Sequence, residues 1–374
     1  MKTGRTDLEP LILSVLRQAQ DERAVSSADY VERSRNTGSG RSAVKRFALV
    51  LSCLLFIASV ARADSVLKIA TLAPDGSFWM RAFKKWQKSV EDHSDNKIKI
   101  KFYPGGVSGD ERDAVRKMRM GGLNGAAVTA IGLGLIQSEV RVLELPMMIR
   151  SYEELDFVRG KLDAEIRKKF EDKGYIFLAW GDVGPVHIFS KIPLKSQADL
   201  AQTKLWAWVD DPLVRALFEQ LGTHGVPLGV PDVLPSLQTG LIDACYGSPL
   251  STVALQWYTK EKYVTSMHIS QAIGALVVTK RDFDKLSADE KKVLVNDSRE
   301  LEGQLLKEVR TENVKSLAAL KQAGIQVVES PPEMVKEFET QALALRSKLE
   351  PSVYTHEWRL RVEQLLKDFR AGKK

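Results

Sequence analysis

The side chains that most often bind metals are scattered along this chain. None of its five histidines belongs to an H-E-x-x-H pattern, which would place two imidazole rings on one helix face. Cys245 has no second cysteine near it to complete a zinc site. We expect neither a metal site nor a cofactor, and we interpret the histidines as surface or packing residues. They are His93, His187, His224, His268 and His356.

Patterns for nucleophilic or phosphate chemistry are also missing from the sequence. There is no G-x-S-x-G turn and no phosphate-binding loop ending in G-K-S/T. Residues 105–109, GGVSG, lie between a predicted strand and a predicted helix, where backbone N–H groups can bind an anion. They lack the G-x-G-x-x-G spacing of a dinucleotide site. We interpret them as a tight turn and predict that the protein is not an enzyme.

The tryptophans indicate a different chemistry, that of an apolar and aromatic binding surface. Trp206 and Trp208 are two residues apart in one predicted strand, so their side chains face the same side of it. Trp180 ends another predicted strand, and ligands of α/β proteins bind at strand ends. We predict that at least one of these residues lines a ligand cleft. The alternative is that they pack inside the core.

The segments that position these residues alternate between strand-like and helix-like patterns, which is typical of an α/β fold. Capping boxes at Ser151 and at Ser287 mark the starts of two helices. The second predicted helix, 287–323, would be roughly 54 Å long and could brace two lobes. Strands are predicted at 66–72, 97–103, 125–130, 175–180, 187–190, 205–209, 275–279 and 325–329, further helices at 77–90 and 110–120, and a helical tail at 333–369.

The first 63 residues differ in composition from the rest of the chain. Residues 1–43 are polar and patternless, and we interpret them as a non-native or disordered leader. Residues 44–63 have a basic start, an apolar run and a terminal A-R-A, the pattern of a secretory signal peptide. We therefore predict export to the periplasm, with cleavage after Ala63.

Two questions remain open in this region. Val44 is a candidate for the true start of the protein, because signal peptides normally begin near the first residue. Cys53 would carry a lipid in a lipoprotein, although the apolar run continues well past it. Part of the formal net charge of +7 lies in residues 1–63, and nothing in the charge pattern indicates a nucleic-acid partner.

The most specific pattern of the chain is DVLPSLQTGLID at residues 232–243. It resembles the signature E-V-x-x-A-L-Q-x-G-x-V-D of the DctP family, the solute receptors of tripartite ATP-independent periplasmic (TRAP) transporters. Residues 249–252, PLST, match a second pattern of that family. Further matches at 145–146, 174–180 and 199–205 keep the family order, so the resemblance extends from about residue 66 to 328.

This resemblance implies a type II periplasmic-binding fold, with two α/β lobes, a ligand cleft between them and a long lobe-bridging helix. The implied division is lobe I at 64–185, lobe II at 186–274, a return to lobe I at 275–330 that includes the bridging helix, and C-terminal helices at 331–374. The implied partners are a small-molecule ligand, captured by hinge closure, and the small and large subunits of a membrane permease.

The sequence departs from the family at the positions that hold a substrate carboxylate. One family arginine aligns with Trp206, a second aligns with Val186, and the family's D-G-x-E-N pattern becomes D-A-C-Y-G around Tyr246. An arginine forms the charge-assisted pair that a carboxylate needs in a dry pocket. Its loss predicts a more apolar pocket. The predicted ligand-binding residues are Trp206, Val186, Tyr246, Trp180, Trp208 and Trp79.

The pattern resembles a subgroup of TRAP receptors proposed to bind hydrophobic ligands, sometimes with a periplasmic tetratricopeptide-repeat protein. The sequence also allows a receptor for an organic acid whose basic anchor has moved, for example to Arg150 or Lys68. A receptor for an ABC-type importer, an enzyme on the same fold, and an interaction protein that binds no small molecule are the remaining hypotheses.

Overall fold

The computed structural model describes residues 65–372, which belong to one compact unit, Ala63–Lys374. The predicted leader, the signal peptide and Cys53 lie outside the described residues. The strands are β1 (Ser65–Thr71), β2 (Ile98–Tyr103), β3 (Gly125–Thr129), β4 (Tyr175–Ser190), β5 (Trp206–Trp208), β6 (Val226–Leu228), β7 (Ala244–Gly247), β8 (Tyr263–Thr265), β9 (Ser270–Thr279) and β10 (Gln326–Val328).

Helices follow most of these strands and cover the sheets. They are α1 (Phe78–His93), α2 (Glu111–Arg119), α3 (Ala130–Ile136), α4 (Tyr152–Asp172), α5 (Gln197–Ala201), α6 (Pro212–Gln220), α7 (Val230–Thr239), α8 (Pro249–Ala254), α9 (Lys280–Phe283), α10 (Ala288–Gln322), α11 (Pro332–Lys348) and α12 (His356–Arg370). Single 3-10 turns lie at Ser138–Glu144 and Trp257–Lys260.

The two longest strands connect the two lobes of the predicted α/β fold. The main sheet has the order β10-β8-β4-β9-β3-β1-β2, and β7 pairs with β4 outside that path. β4 pairs with β9 over most of its length and then, from His187 to Ser190, with β7. β5 and β6 form a separate parallel pair. The division into lobes after residues 185 and 274 stays a prediction.

The long helix α10 spans 35 residues and contacts α1, β4 and α8. Its capping box is complete, since Glu290 N donates to Ser287 Oγ and Ser287 N donates to Glu290 Oε2. Farther along, the buried Asn313 donates to Val183 O of β4 at 3.0 Å and accepts from Leu250 N of α8 at 3.1 Å. One amide side chain therefore links the long helix to both β4 and α8.

Some predicted elements differ from the structure. The two strands expected at 175–180 and 187–190 are one continuous strand, because the pairing with β9 continues past a bulge between Asp182 and Gly184 and includes Pro185 opposite Gln271. The helical tail expected at 333–369 is two helices, and Pro351 lies in the turn between them, consistent with its poor fit in a helix interior. At Ser151 the box is incomplete: Glu154 accepts from Arg150 N.

Among residues 65–372, no helix combines the length and the apolar character needed to cross a membrane.

Candidate functional site

A cavity of about 200 Å³ lies where the two lobes face each other. The ends of β1 and β3 contribute Thr71 and Thr129 to its wall. β5 and β7 contribute residues from the opposite side. The carboxyl ends of strands are where open α/β sheets bind their ligands, so this cavity is the candidate site.

An aromatic cluster forms the β5 and β7 side of the cavity. Trp206 stacks on Tyr246, with ring centroids 4.6 Å apart. Trp208 lies 5.8 Å from Trp206 on one side, and Trp257 lies 5.2 Å from it on the other, edge to face. All four side chains are at most 8% exposed and line the cavity. Rings in such offset and edge-on contacts stabilise one another and keep a rigid wall.

Three of these four side chains have hydrogen-bond partners within the protein. The indole N–H of Trp206 donates to Leu228 O at 3.0 Å, and that of Trp208 donates to Asp110 Oδ2 at 3.0 Å. The Tyr246 hydroxyl accepts from the backbone N of Trp208 at 3.2 Å. The wall therefore offers mainly apolar ring surface to a ligand.

Of the other predicted ligand-binding residues, two line the cavity and one does not. Trp79 and Val186 line the cavity, and the indole N–H of Trp79 donates to Asp182 O at 3.4 Å. Trp180 is 1% exposed and lies outside the lining. Its indole N–H donates to Asp163 at 2.5 Å, and its ring packs on Phe177. The structure thus brings together five of the six predicted residues and places Trp180 in the core.

A basic residue that the sequence analysis missed lies in the same wall. Arg141, in the 3-10 turn, is 3% exposed and donates from Nη2 to Asp211 Oδ1 at 2.7 Å. Its Nη1 is 3.4 Å from Glu144, but Nε and Nη1 have no hydrogen-bond partner among the described residues. Burial raises the pKa of Glu144 to about 7, against the opposing effect of Arg141.

The basic residues expected as relocated anchors lie elsewhere. Arg150 is exposed and pairs with Glu339 at 3.0 Å. Lys68 is exposed on β1. Neither contributes to the cavity wall. The signal that could have identified Arg141 is a lone basic residue within the apolar segment VRVLELP at 140–146.

Acidic residues of the cavity wall form ion pairs or hydrogen bonds with other groups of the protein. Asp182 pairs with Arg159 at 2.7 Å and with Arg310 at 3.0 Å. Glu111 accepts from the backbone N of Thr129 at 2.7 Å and of Gly132 at 2.6 Å. Burial raises the pKa of Glu111 to about 8. These groups fix the loops around the cavity and leave it without an excess of positive charge.

Several contacts join the two sides of the cleft. The carboxylate of Asp110, at the start of α2, accepts from Trp208 Nε1 and from Val230 N at 2.9 Å. Arg112 forms an ion pair with Asp210, one residue before the Asp211 that holds Arg141. These contacts join the start of α2 to β5, to the segment after it and to the start of α7.

The turn at 105–109 has a structural role. Gly105, Gly106 and Gly109 have φ values of 63°, 75° and 89°, which favour glycine. Asp110 caps the following helix and accepts from Glu111 N at 2.6 Å. The first turn of α2 is thus occupied by a carboxylate of the protein. Within the described part of the chain, no three His, Cys, Asp or Glu side chains are grouped so that they could hold a metal ion.

The chain resembles curated periplasmic binding proteins. It is 24% identical over 253 residues to the 2,3-diketo-L-gulonate-binding periplasmic protein YiaO of Escherichia coli, which covers 66% of this chain and 76% of that protein. Solved structures share the fold. The Bordetella pertussis receptor DctP7, which binds pyroglutamic acid, has a TM-score of 0.75 at 17% identity and covers 81% of this chain and 99% of its own.

A second solved structure agrees with this fold. The sugar acid binding protein DctPAm of Advenella mimigardefordensis, in complex with galactonate, has a TM-score of 0.76 at 20% identity, over 81% of this chain and 98% of its own. The family model of the bacterial extracellular solute-binding proteins, family 7, matches residues 69–350. The chain therefore belongs to this DctP family of TRAP solute-binding proteins, which are receptors and not enzymes.

Proposed function

We propose that this protein is the periplasmic receptor of a TRAP-type transporter and captures a small organic ligand with an apolar or amphipathic body. The observation that carries the proposal is the stack of Trp206 on Tyr246 in the cavity wall. At the position of Trp206 the family pattern has an arginine that holds a carboxylate. An aromatic wall with satisfied indole N–H groups binds apolar surface, at about 25 cal/mol per Å² buried.

Hinge closure of the two lobes around the ligand would then deliver it to the small and large permease subunits. The contacts of Asp110 with Val230 and of Arg112 with Asp210 support this mechanism, since they join residues from the two sides of the cavity. A periplasmic tetratricopeptide-repeat protein is a further proposed partner. We further propose that the signal peptide is cleaved after Ala63 during export.

The proposal is tested by identifying what the protein binds. Protein purified from the periplasm is analysed by native mass spectrometry, extracted with organic solvent, and then titrated calorimetrically with extracted compounds, succinate, malate and galactonate. We expect an apolar or amphipathic compound to bind at micromolar concentration or below, about 8 kcal/mol. Equally tight binding of the short hydrophilic acids alone would contradict the proposal.

A second candidate function is a receptor for an organic acid. It is favoured by Arg141, a buried guanidinium group in the cavity wall whose Nε and Nη1 have no hydrogen-bond partner among the described residues. It is also consistent with the ligands named for the relatives, which are 2,3-diketo-L-gulonate, pyroglutamic acid and galactonate. In that case Arg141 would replace the arginine missing at position 206.

A further inference from the structure

The side chain of Arg141 fits into a space that a glycine of α3 leaves open. Its aliphatic stem passes α3 at Gly134, where a Cβ atom would lie 2.9 Å from both Cγ and Cδ of Arg141. A side chain at position 134 would therefore displace the arginine. The glycine, which is otherwise unfavourable within a helix, gives Arg141 access to the cavity wall.

Arg141 differs from the indole groups of Trp206 and Trp208 in having donors without an acceptor among the described residues. The indole N–H groups of Trp206 and Trp208 already donate to protein acceptors, and Tyr246 already accepts from the backbone. Only one nitrogen of Arg141, Nη2, has a hydrogen-bond acceptor among the described residues, Asp211. Buried donors without partners cost free energy, and an oxygen acceptor on a ligand would remove that cost.

The charge around Arg141 restricts what kind of acceptor fits. Asp211 neutralises the guanidinium group at 2.7 Å, and Glu144 lies 3.4 Å from Nη1. Glu144 is further held by Ile273 N, which donates to it at 2.8 Å. A ligand carboxylate would be a third acidic group around one cation, in a buried site where unpaired charge is costly. Burial raises the pKa of Glu144 in the same direction, against an additional negative charge at this site.

We propose that Arg141 is the polar anchor of the cleft and that, with Asp211 and Glu144 beside it, it selects an uncharged ligand whose apolar body ends in a carbonyl group. The carbonyl oxygen accepts a hydrogen bond from one of the two unpartnered nitrogens of Arg141, and the apolar body lies against Trp206 and Tyr246. This inference rests on the proposed function, because it assumes a ligand with an apolar body.

The test compares two ligands that share a chain length, 2-nonanone and nonanoate. The mature protein is stripped of bound material by unfolding and refolding, and both compounds are titrated by calorimetry at neutral pH. We expect wild type to bind 2-nonanone at least about tenfold more tightly than nonanoate. Arg141→Met should weaken binding of 2-nonanone about tenfold, or about 1.4 kcal/mol.

Two further variants distinguish a specific loss of affinity from an effect of misfolding. The double variant Arg141→Met/Asp211→Asn removes the whole ion pair and keeps a side chain that can cap α6, where Asp211 accepts from Leu213 N. It should show the same loss of affinity as the single variant. The matched control is Arg346→Met, which removes another largely buried guanidinium with an unpartnered Nε, outside the cavity. It should leave the affinity unchanged.

The outcomes separate the two proposals. Unchanged affinity for 2-nonanone in both Arg141 variants would overturn the anchor and leave the proposed function intact. Tighter binding of nonanoate, dependent on Arg141, would overturn the selection for an uncharged ligand and favour the organic-acid receptor. If wild type binds neither nine-carbon compound but binds galactonate or succinate, the proposed function itself fails.

Discussion

The indole ring of Trp206 lies on the phenol ring of Tyr246, with centroids 4.6 Å apart and ring planes 18° from parallel. The two residues come from β5 and β7, which belong to different strand pairings. Their contact turns two positions that are far apart in sequence into one wall of the cleft. In the family resemblance of the sequence an arginine aligns with Trp206 and a glutamate with Tyr246, and we propose that the stack presents apolar surface in place of those polar groups.

Replacing Trp206 tests that wall directly. Trp206→Arg should lower the affinity for an apolar ligand at least about tenfold, because it removes stacking surface and buries a charge. Calorimetry measures the affinity, and thermal unfolding checks that the variant is folded. Trp180→Phe is the control, since Trp180 lies outside the cavity and should affect stability alone. Equal losses of affinity in both variants would argue against the wall.

Asp110 provides a test of lobe closure. Asp110→Ala removes its hydrogen bonds from Trp208 and Val230, so the open arrangement should gain population and the ligand should bind more weakly. Small-angle scattering should show a larger radius of gyration for the variant at the same ligand concentration. Asp113→Ala, which removes a surface ion pair with Arg116 on the same helix, should change neither quantity. An Asp110 variant as compact as wild type would refute this role.

Glu261 should make stability depend on pH. It is 5% exposed, neither carboxylate oxygen has a partner among the described residues, and burial raises its pKa to about 9. Between the ordinary value of 4.5 and about 9, the folded state holds a proton that the unfolded state releases. The free energy of unfolding should therefore fall as pH rises, by up to about 1.4 kcal/mol per unit from this group.

The variant Glu261→Gln isolates this effect. Glutamine cannot ionise, so the variant should lose stability less steeply than wild type between pH 5 and 9, as measured by urea unfolding. Glu308→Gln, on the exposed face of α10, should follow the wild-type curve. Parallel curves for wild type and Glu261→Gln would show that Glu261 does not carry the effect. Glu111 and Glu144 act in the same direction and remain in both proteins.

The predicted cleavage after Ala63 is tested by sequencing the N-terminus of periplasmic protein. We expect it to begin at Asp64, because Ala61 and Ala63 satisfy the small-residue rule for signal cleavage. A product that begins at Cys53 would instead indicate a lipoprotein, and an uncleaved cytoplasmic product would contradict export.

The sequence by itself determined the fold class and the family. Its local patterns are short-range: apolar residues recur within a few positions, and the capping box at Ser287 and Glu290 joins neighbours three residues apart. Such patterns can be recognised without knowledge of the rest of the chain. They predicted β1, α1 and the full length of α10 within a few residues. The motif at 232–243 identified the family because it preserves residue types in a fixed order.

Only the tertiary structure decided which residues share the cleft. Trp180 and Trp206 look alike in sequence, but Trp180 faces Asp163 and Phe177, whereas Trp206 faces the cavity. Arg141 reaches the cavity wall because α3 passes its side chain at Gly134. The spacing of residues along the chain does not reveal this contact. Burial, pairing and unused hydrogen-bond donors depend on contacts between distant segments. Periodicity along the chain carries no information about those contacts.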